Sequence, residues 1–158
     1  MRVSDIMSSP VITCHQDWRL EDAVQLMVEK KIGVLPVIDD RGILQGTVTE
    51  NDFLPHYSRV DGRGLSVATI FGEYLDSAET AEDIFERVRT AAVRDCMNHF
   101  PMTLTRDTSL TSTVYQMFHS SGQKAVVVEE GRPVGVVSSH DVMKSMIKVQ
   151  QSARCAIA

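Results

Sequence analysis

The sequence has few of the residues that build disulfide-linked or metal-binding proteins. Its 158 residues include three cysteines, Cys14, Cys96 and Cys155, which lie far apart and form no C-x-x-C pair. This odd number fits neither a disulfide framework nor a zinc site, so we expect reduced thiols. The five histidines contain no i, i+4 pair. We therefore expect no metal site.

Long apolar runs and an excess of basic charge are also missing. No apolar run approaches the ~20 residues that span a bilayer, and the first residues resemble no export signal. The net charge of −5 argues against a general nucleic-acid binder, because such proteins carry basic faces. We expect a cytoplasmic globular protein with no membrane segment and no general affinity for nucleic acids.

An internal duplication dominates the sequence. The segment from Val3 to Met7 returns as Val93 to Met97, at an offset of 90 (97 − 7). One residue is lost near Arg41, after which Gly46–Asp52 returns as Gly135–Asp141, at an offset of 89 (141 − 52). Such a repeat predicts two copies of one supersecondary unit. We place the copies at 1–60 and 92–150, a linker at 61–91 and a tail at 151–158.

Each copy shows the pattern strand, helix, strand, strand, helix, which predicts an α+β fold. Short extended segments are followed by amphipathic helices that begin near Leu20 and Leu110, with Asp17 and Asp107 as expected N-caps. Half a domain buries little apolar surface alone, so we expect the copies to pack face to face with pseudo-twofold symmetry. The remaining predictions are strands at 12–13, 34–38, 44–49, 102–103, 125–128 and 133–138, hairpin turns at Gly42 and Gly131, and closing helices at 50–57 and 139–149.

The linker is longer than the usual connection of ~4–6 residues, so it should carry structure of its own. A turn is expected at 61–64, and a second helix is expected to begin at Thr80–Asp83. Between them, Val67, Ile70, Phe71 and Tyr74 have helical spacing. We predict a helical linker that is ordered and folds over the repeats.

The repeated junction Thr49-x-x-Asp52 and Ser138-x-x-Asp141 has two interpretations. It is a variant of the capping box, in which a hydroxyl and an acid satisfy the N-terminus of a helix. Alternatively, the helix N–H groups and the hydroxyl bind a phosphate while the acid accepts from a ribose diol. The glycine that opens each motif fits a close approach of backbone or ligand.

The motifs resemble the cystathionine β-synthase (CBS) domain, whose tandem form is called a Bateman module. They are Val-x-Asp-x-Met, Pro-Val-x-Thr, Leu-x-x-Ala-x-x-x-Met, Leu-Pro-Val-Ile-Asp and Gly-x-Val-Thr-x-x-Asp, carried by residues 1–57 and 92–149. The resemblance implies clefts between the repeats that take AMP, ADP, ATP or S-adenosylmethionine. It also implies a homodimer in which helices pack two modules into a flat disc.

The resemblance assigns ligand-binding roles by position. Asp52 and Asp141 resemble ribose-binding acids, and Lys124 stands where a basic residue often contacts phosphate, although the first repeat has Val34 there. The second repeat has Val126 where Pro36 represents the family's proline. The full set of expected site residues is Thr13, Ile32, Gly33, Thr49, Asp52, Thr103, Gln123, Lys124, Ser138, Asp141 and, facing phosphate, His140.

Two function hypotheses remain open at this point. The first is a stand-alone adenine-nucleotide sensor, with an energy-sensing or similar regulatory role toward an unknown partner protein. The second is a structural dimerisation module whose junctions are simple caps. The sequence carries no G-x-S-x-G and no local nucleophile signature, so we expect no enzyme. Apolar helical positions such as Met27, Val28, Met143 and Met146 are expected to be exposed and to drive dimer formation.

Overall fold

The fold is a mixture of small sheets and helices. A computed structural model describes residues 1–53, 56–60, 65–71, 73–74, 76, 78, 80–120 and 123–155, with backbone alone at 56–60, 65–68, 73 and 148–155. The strands are β1 (Cys14–His15), β2 (Val34–Ile38), β3 (Leu44–Thr49), β4 (His56–Val60), β5 (Leu65–Ile70), β6 (Glu73–Tyr74), β7 (Thr103–Leu104), β8 (Lys124–Glu129) and β9 (Arg132–Ser138). The helices are α1 (Leu20–Lys30), α2 (Ala81–Thr90), α3 (Val93–Cys96), α4 (Leu110–His119) and α5 (Ser139–Cys155), and 3-10 turns lie at Val3–Asp5 and Glu50–Phe53.

Both repeats form a three-stranded sheet of the same topology. In each, the short first strand pairs in parallel with the second, which forms an antiparallel hairpin with the third. The hairpins turn at Gly42 and Gly131, which both have φ of 76°, a conformation that glycine adopts without steric cost. The predicted α+β class and the predicted strands β2 and β3 are confirmed.

The two first helices form as predicted, but their predicted caps are wrong. The N-cap of α1 is Arg19, which makes no side-chain cap, and the N-cap of α4 is Ser109, whose hydroxyl accepts from Ser112 N. Asp17 and Asp107 instead form ion pairs, with Arg94 and Arg2 respectively. These carboxylates therefore bind the segments that precede each repeat's first strand.

The closing helices of the two repeats differ. In the second repeat α5 runs for 17 residues from Ser139. In the first repeat the equivalent segment is one 3-10 turn, Glu50–Phe53, after which the chain enters β4. The predicted helix from Glu50 to Tyr57 is therefore wrong. Pro55 explains the difference, because proline removes a helical hydrogen bond and clashes with the preceding turn.

The described residues of the linker form strands and a helix. Strands β4, β5 and β6 form an antiparallel three-stranded sheet, so the predicted helix on Val67, Ile70, Phe71 and Tyr74 is wrong. Helix α2 follows, starting at the predicted Thr80–Asp83 signal. Ile70 is buried, and the rings of Phe71 and Phe53 pack edge to face with their centroids 5.4 Å apart. The ring contact attaches this sheet to the end of the first repeat. The turn predicted at 61–64 lies outside the described residues.

The chain divides into two compact units that exchange their leading segments. The first-repeat unit is Thr13–Phe100, and the second-repeat unit joins Met1–Ile12 to Pro101–Ala158. Each unit thus contains the body of one repeat and the leading segment of the other. We call these leading segments the arms; they are residues 1–12 for the first repeat and residues 92–100 for the second. In the second-repeat unit the arm residue Val3 is fully buried in a core with Leu104, Val127 and Val137.

The two arms are held by equivalent backbone hydrogen bonds. Val3 N donates to Thr108 O, and Val93 N donates to Trp18 O, both at 2.9 Å. The equivalence is the repeat offset itself, since 93 − 3 and 108 − 18 both equal 90. The arms are therefore structural parts of the units in which they lie, and Met1 to Met7 fold against a sheet about a hundred residues away in sequence.

The repeated glycines admit the arms. A Cβ at Gly46 would lie 2.5 Å from Asn98 O and 2.9 Å from Met97 Sδ, and a Cβ at Gly135 would lie 2.7 Å from Met7 Sδ. Isolated bridges between Thr47 and Asn98, and between Ser8 and Val136, hold the arms at these points. The sequence allowed either backbone or a ligand to approach these glycines closely. The structure shows that the backbone of the arms does so.

The thiol of Cys14 gives a chemical test of packing. Burial raises the pKa of this thiol to about 12, whereas Cys96 is only half-buried. Thiolates are the reactive form, so in a Cys155→Ser background we expect iodoacetamide to modify Cys14 at least ~100-fold more slowly than Cys96. Peptide mass spectrometry over time measures both rates. Equal rates in the native protein would show that β1 opens readily.

Candidate functional site

Each repeated junction joins the end of a third strand to the first turn of the following helix. Thr49 donates to Asp52 Oδ2 from its backbone N at 2.6 Å and from its hydroxyl at 3.0 Å. Ser138 donates to Asp141 Oδ2 in the same way, at 2.9 Å and 2.7 Å, and its hydroxyl accepts from Asp141 N at 3.3 Å. All the bonds to the acids use Oδ2, so Oδ1 of each acid accepts none of them.

The strand-entry residues lie beside these junctions. Glu50 N donates to Gly33 O at 3.3 Å, and Ser139 N donates to Gln123 O at 2.9 Å. In the sheets Thr49 is opposite Val34, and Lys124 is opposite Ser138. The structure therefore brings the expected strand-entry and junction residues together in both repeats, with Ile32 directly before Gly33.

The first-strand threonines lie further along the same sheets. Thr103 is opposite Val126 in β8, two residues beyond Lys124. Thr13 directly precedes β1, where Cys14 is opposite Val37, so its register is the same. Thr13 is half-buried and Thr103 is exposed. The site residues expected from the sequence thus form two equivalent sets, one in each unit.

The hydrogen bonds of the second junction are those of a capping box, and the first junction shows the half of the box in which the acid accepts. The linker contains a third example, in which Thr80 donates to Asp83 Oδ2 from its N at 2.8 Å and from its hydroxyl at 2.9 Å. This box lies outside the repeats and simply starts α2. The structural interpretation of Ser138 and Asp141 is therefore correct as geometry. A ligand would use the acceptor that these bonds leave over, which is Oδ1 of each acid.

Asp83 provides a test of the box itself. The backbone N–H of Thr80, more than its hydroxyl, holds the pKa of Asp83 below its ordinary value of about 3.9. A lowered pKa stabilises the fold above the ordinary pKa, and this contribution is lost as the pH falls through the lowered one. We expect Asp83→Ala to lower the thermal midpoint at pH 7, and the gap to wild type to shrink toward pH 3. Glu82→Ala in the same turn is the control. A difference in thermal midpoint that is as large at pH 3 as at pH 7 would contradict a contribution from the lowered pKa of Asp83.

The two junctions differ in the helix that follows. The N–H groups at Ser138 begin a 17-residue helix, whose dipole attracts an anion. Those at Thr49 begin a single 3-10 turn with Glu50 and Asp52 in it. His140 and Lys144 are exposed on the first turns of α5, and Lys124 is half-buried at the strand entry. Positive charge and helix dipole therefore coincide in the second repeat.

Each repeat also has an apolar groove that the sequence did not reveal as such. The first groove has a volume of about 390 Å³ and lies between α1 and the Glu50–Phe53 turn. The second groove, of about 270 Å³, lies between α4 and α5. Their linings match by repeat: Val24, Met27, Val28, Gly33, Glu50 and Phe53 in the first correspond to Val114, Met117, Phe118, Gln123, Ser139 and Val142 in the second. The signal available in the sequence was the apolar stripe that recurs at equivalent positions of α1 and α4.

The described residues give no sign of a metal site or a membrane span. No group of three His, Cys, Asp or Glu side chains among them is placed to hold a metal ion. Within the same residues, no helix combines the length and apolar character needed to cross a bilayer.

The fold and the repeated junction define a tandem α+β module built from two copies of one unit. The chain belongs to the CBS-domain family, whose family model matches residues 3–59 and 93–148. The CBS domain-containing protein CBSX2, chloroplastic, of Arabidopsis thaliana is 25% identical over 136 residues, which cover 84% of this chain and 57% of CBSX2. The chain spans 26%, 57% and 58% of the length of three curated relatives that it matches.

Solved CBS pairs share the fold. The crystal structure of CBSX2 in complex with AMP aligns with a TM-score of 0.68 at 23% identity, covering 94% of this chain and 98% of that one. The CBS pair of protein MJ0100, in complex with 5′-methylthioadenosine and S-adenosyl-L-methionine, aligns with a TM-score of 0.67 at 21% identity, covering 92% and 99%. Both relatives therefore bind an adenosine-containing ligand on this architecture.

Proposed function

We propose that the chain is a stand-alone, non-enzymatic CBS-pair module that binds an adenosine-containing ligand and modulates a partner protein. The observation that carries the proposal is the convergence, in both units, of a strand-entry carbonyl, a hydroxyl, an acid and helix N–H groups at one point. An adenosine ligand offers the matching chemistry, because its ribose diol donates to a carboxylate and its phosphate accepts from N–H and O–H groups. AMP, ADP, ATP and S-adenosylmethionine are the candidates.

The ligand-bound relatives support this assignment. CBSX2 is solved with AMP, and the CBS pair of MJ0100 with 5′-methylthioadenosine and S-adenosyl-L-methionine. Identification of the native ligand is the direct experiment: protein purified without added nucleotide is denatured, and the released small molecules are identified by absorbance near 260 nm and mass spectrometry. We expect the purified protein to release an adenosine compound in a stoichiometric amount. An empty protein that also fails to bind AMP, ATP and S-adenosylmethionine in calorimetry would reject the proposal.

A structural module is the second candidate function. It is favoured by the observation that each acid already serves its own capping box, as Asp83 does. In that case the same calorimetry gives no heat, and alanine at Asp141 changes stability alone.

We also propose that the module is a homodimer. Val28, Met143 and Met146 are exposed as expected, whereas the expectation for Met27 is wrong, because its side chain turns into the core and is only 6% exposed. Exposed apolar helix positions favour association through helices. Sedimentation velocity at micromolar concentration is expected to give twice the chain mass of 17.6 kDa. A species of one chain mass at all concentrations would contradict the homodimer.

A further inference from the structure

Two of the three thiols of the chain belong to the first-repeat unit. Cys14 lies in β1 and has 2% of its surface exposed. Cys96 is the last residue of α3, in the second arm, and is half-buried. The two residues are 82 positions apart in sequence (96 − 14), and both lie within Thr13–Phe100. Their places in this unit decide whether the two thiols react with each other.

The side chain of Cys14 points to the face of the sheet on which the second arm lies. Cys14 is opposite Val37 in β2, and Val37 is opposite Gly46 in β3. Residues directly opposite each other on neighbouring strands point to the same face of a sheet. On that face the arm fills the space above Gly46, because a Cβ there would lie 2.9 Å from Met97 Sδ. Cys14 and the arm therefore share one face of the sheet.

The arm turns Cys96 toward this face. Val93, Cys96 and Met97 have the helical spacing i, i+3 and i+4, which places them on one side of the α3 turn. Val93 is fully buried and Met97 is 7% exposed, whereas Arg94 and Asp95 are exposed. The side of α3 that carries Cys96 is therefore the side that packs on the sheet.

Backbone hydrogen bonds hold the arm across the sheet, whose strand order is β1, β2, β3. On the β1 side, Arg94 N donates to Gln16 O at 3.0 Å. On the β3 side, Asn98 N donates to Thr47 O at 2.9 Å. Cys96 is the midpoint of the segment between these two attachments. Because three strands span only ~10 Å, Cys96 is held within side-chain reach of β1.

The second-repeat unit shows what this pair of positions does in the fold. The equivalents of Cys14 and Cys96 are Leu104 and Ile6, both at the repeat offset of 90 (104 − 14 and 96 − 6). Leu104 belongs to the buried core of that unit, and Ile6 packs against the same core. Where the second-repeat unit has two aliphatic side chains, the first-repeat unit thus has two thiols.

We propose that Cys14 and Cys96 are a redox-sensitive pair, which closes to an intrachain disulfide when the reduced protein meets hydrogen peroxide. In the first step the Cys96 thiolate attacks one peroxide oxygen, the O–O bond breaks, and hydroxide leaves a sulfenic acid on Cys96. In the second step the Cys14 thiolate attacks the Cys96 sulfur, and the S–O bond breaks with loss of hydroxide. The two thiol protons neutralise both hydroxides. Two thiols lose two electrons to one peroxide, which gives one disulfide and two waters.

Burial sets the order and the pace of the two steps. Cys96 is half-buried and meets the peroxide first, whereas burial raises the pKa of Cys14 to about 12. Because the thiolate is the attacking form, the second step should be slow at pH 7 and roughly tenfold faster for each pH unit below that pKa. The disulfide would fasten the second arm to β1. This pair goes beyond the proposed ligand function and does not depend on it.

Oxidation of the full chain in a Cys155→Ser background tests the pair. The reduced protein is treated with hydrogen peroxide, and mass spectrometry follows the intact chain and a tryptic digest prepared without reductant. We expect the chain to lose two hydrogen atoms and the digest to contain the peptides Val3–Arg19 and Asp95–Arg106 linked to each other. The thermal midpoint should rise by about 5 °C or more, because the link closes a long loop in the unfolded chain. Dithiothreitol should reverse both changes.

Single-thiol variants of the same background separate the two steps. Cys14→Ala should stop at a sulfenic acid on Cys96, which dimedone traps, and Cys14→Val repeats this test if the alanine variant has lost the circular dichroism of the fold. Cys96→Ser should give neither product during the same exposure. Sulfinic acid on Cys96 without the linked peptides, a link between two copies on a non-reducing gel, or a link that forms only in urea would overturn the pair. Nucleotide titration of the reduced protein tests the proposed ligand function separately.

Discussion

Replacing Asp141 by alanine is expected to weaken the binding of AMP or ATP by roughly 10- to 100-fold, because hydrogen bonds to charged groups contribute ~1.5–3 kcal/mol. Asp52→Ala should weaken binding at the tightest site less than Asp141→Ala does. The second junction opens the long helix α5 with Lys124 and His140 nearby, whereas the first opens a single turn that carries Glu50. Lys124→Ala should lower the affinity for ATP more than that for adenosine. Calorimetric titration measures each change.

The linker box supplies the control for this prediction. Asp141→Ala removes a cap as well as a ligand group, and Asp83→Ala removes the same kind of cap where no ligand is expected. Asp83→Ala should therefore alter stability and leave affinity unchanged. Equal losses of affinity from Asp52→Ala and Asp141→Ala, or adenosine binding as tightly as ATP, would show that charge and helix length do not rank the two sites.

Gly46→Ala should destabilise the first-repeat unit by about 3 kcal/mol or more, the upper range for overpacking. The new Cβ would lie 2.5 Å from Asn98 O, and this backbone is fixed because Asn98 exchanges two hydrogen bonds with Thr47. Gly135→Ala is the matched control, expected to cost about 1–2 kcal/mol, because its nearest neighbour is the flexible thioether of Met7 at 2.7 Å.

Trp18 makes this comparison measurable. It is the chain's one tryptophan and lies in the first-repeat unit, so its fluorescence in urea follows that unit, while circular dichroism follows both. The fluorescence midpoint should fall sharply in Gly46→Ala and change little in Gly135→Ala. Similar midpoints for the two variants would mean that the Asn98 segment shifts aside without cost.

The sequence predicts the strands best where two signals agree. Val34–Ile38 and Leu44–Thr49 combine apolar strand formers with a glycine turn, and both appear with the predicted bounds. The closing helix of the first repeat was wrong because the duplication was extended through Pro55, whose counterpart is Lys144. Residues 65–70 fit a helical period in part, but Val67, Thr69 and Ile70 are β-branched and favour the observed strand.

The candidate site was predictable as a set and not as geometry. The repeat identified Thr49, Asp52, Ser138 and Asp141, and the structure places them with the strand-entry residues. The duplication alone could not reveal that their acids serve capping boxes, since a cap and a ligand site use the same residue types. Nor could it show which repeat each arm joins, because the two docking partners, at Trp18 and Thr108, occupy equivalent positions of the repeat. The sequence shows that Val3 and Val93 are equivalent in the repeat. It does not show that each is a core residue of the unit that holds the body of the other repeat.

The exchange of arms sets an order in which the chain can be completed during synthesis. The unit formed by Thr13–Phe100 is continuous, so all of its parts have been translated before the first residue of the second repeat's body emerges. The other unit needs Met1–Ile12, made first, and Pro101 onward, made last. Its core residue Val3 must therefore wait without a partner while the first unit folds, and closing that long loop makes the second unit the slower to assemble.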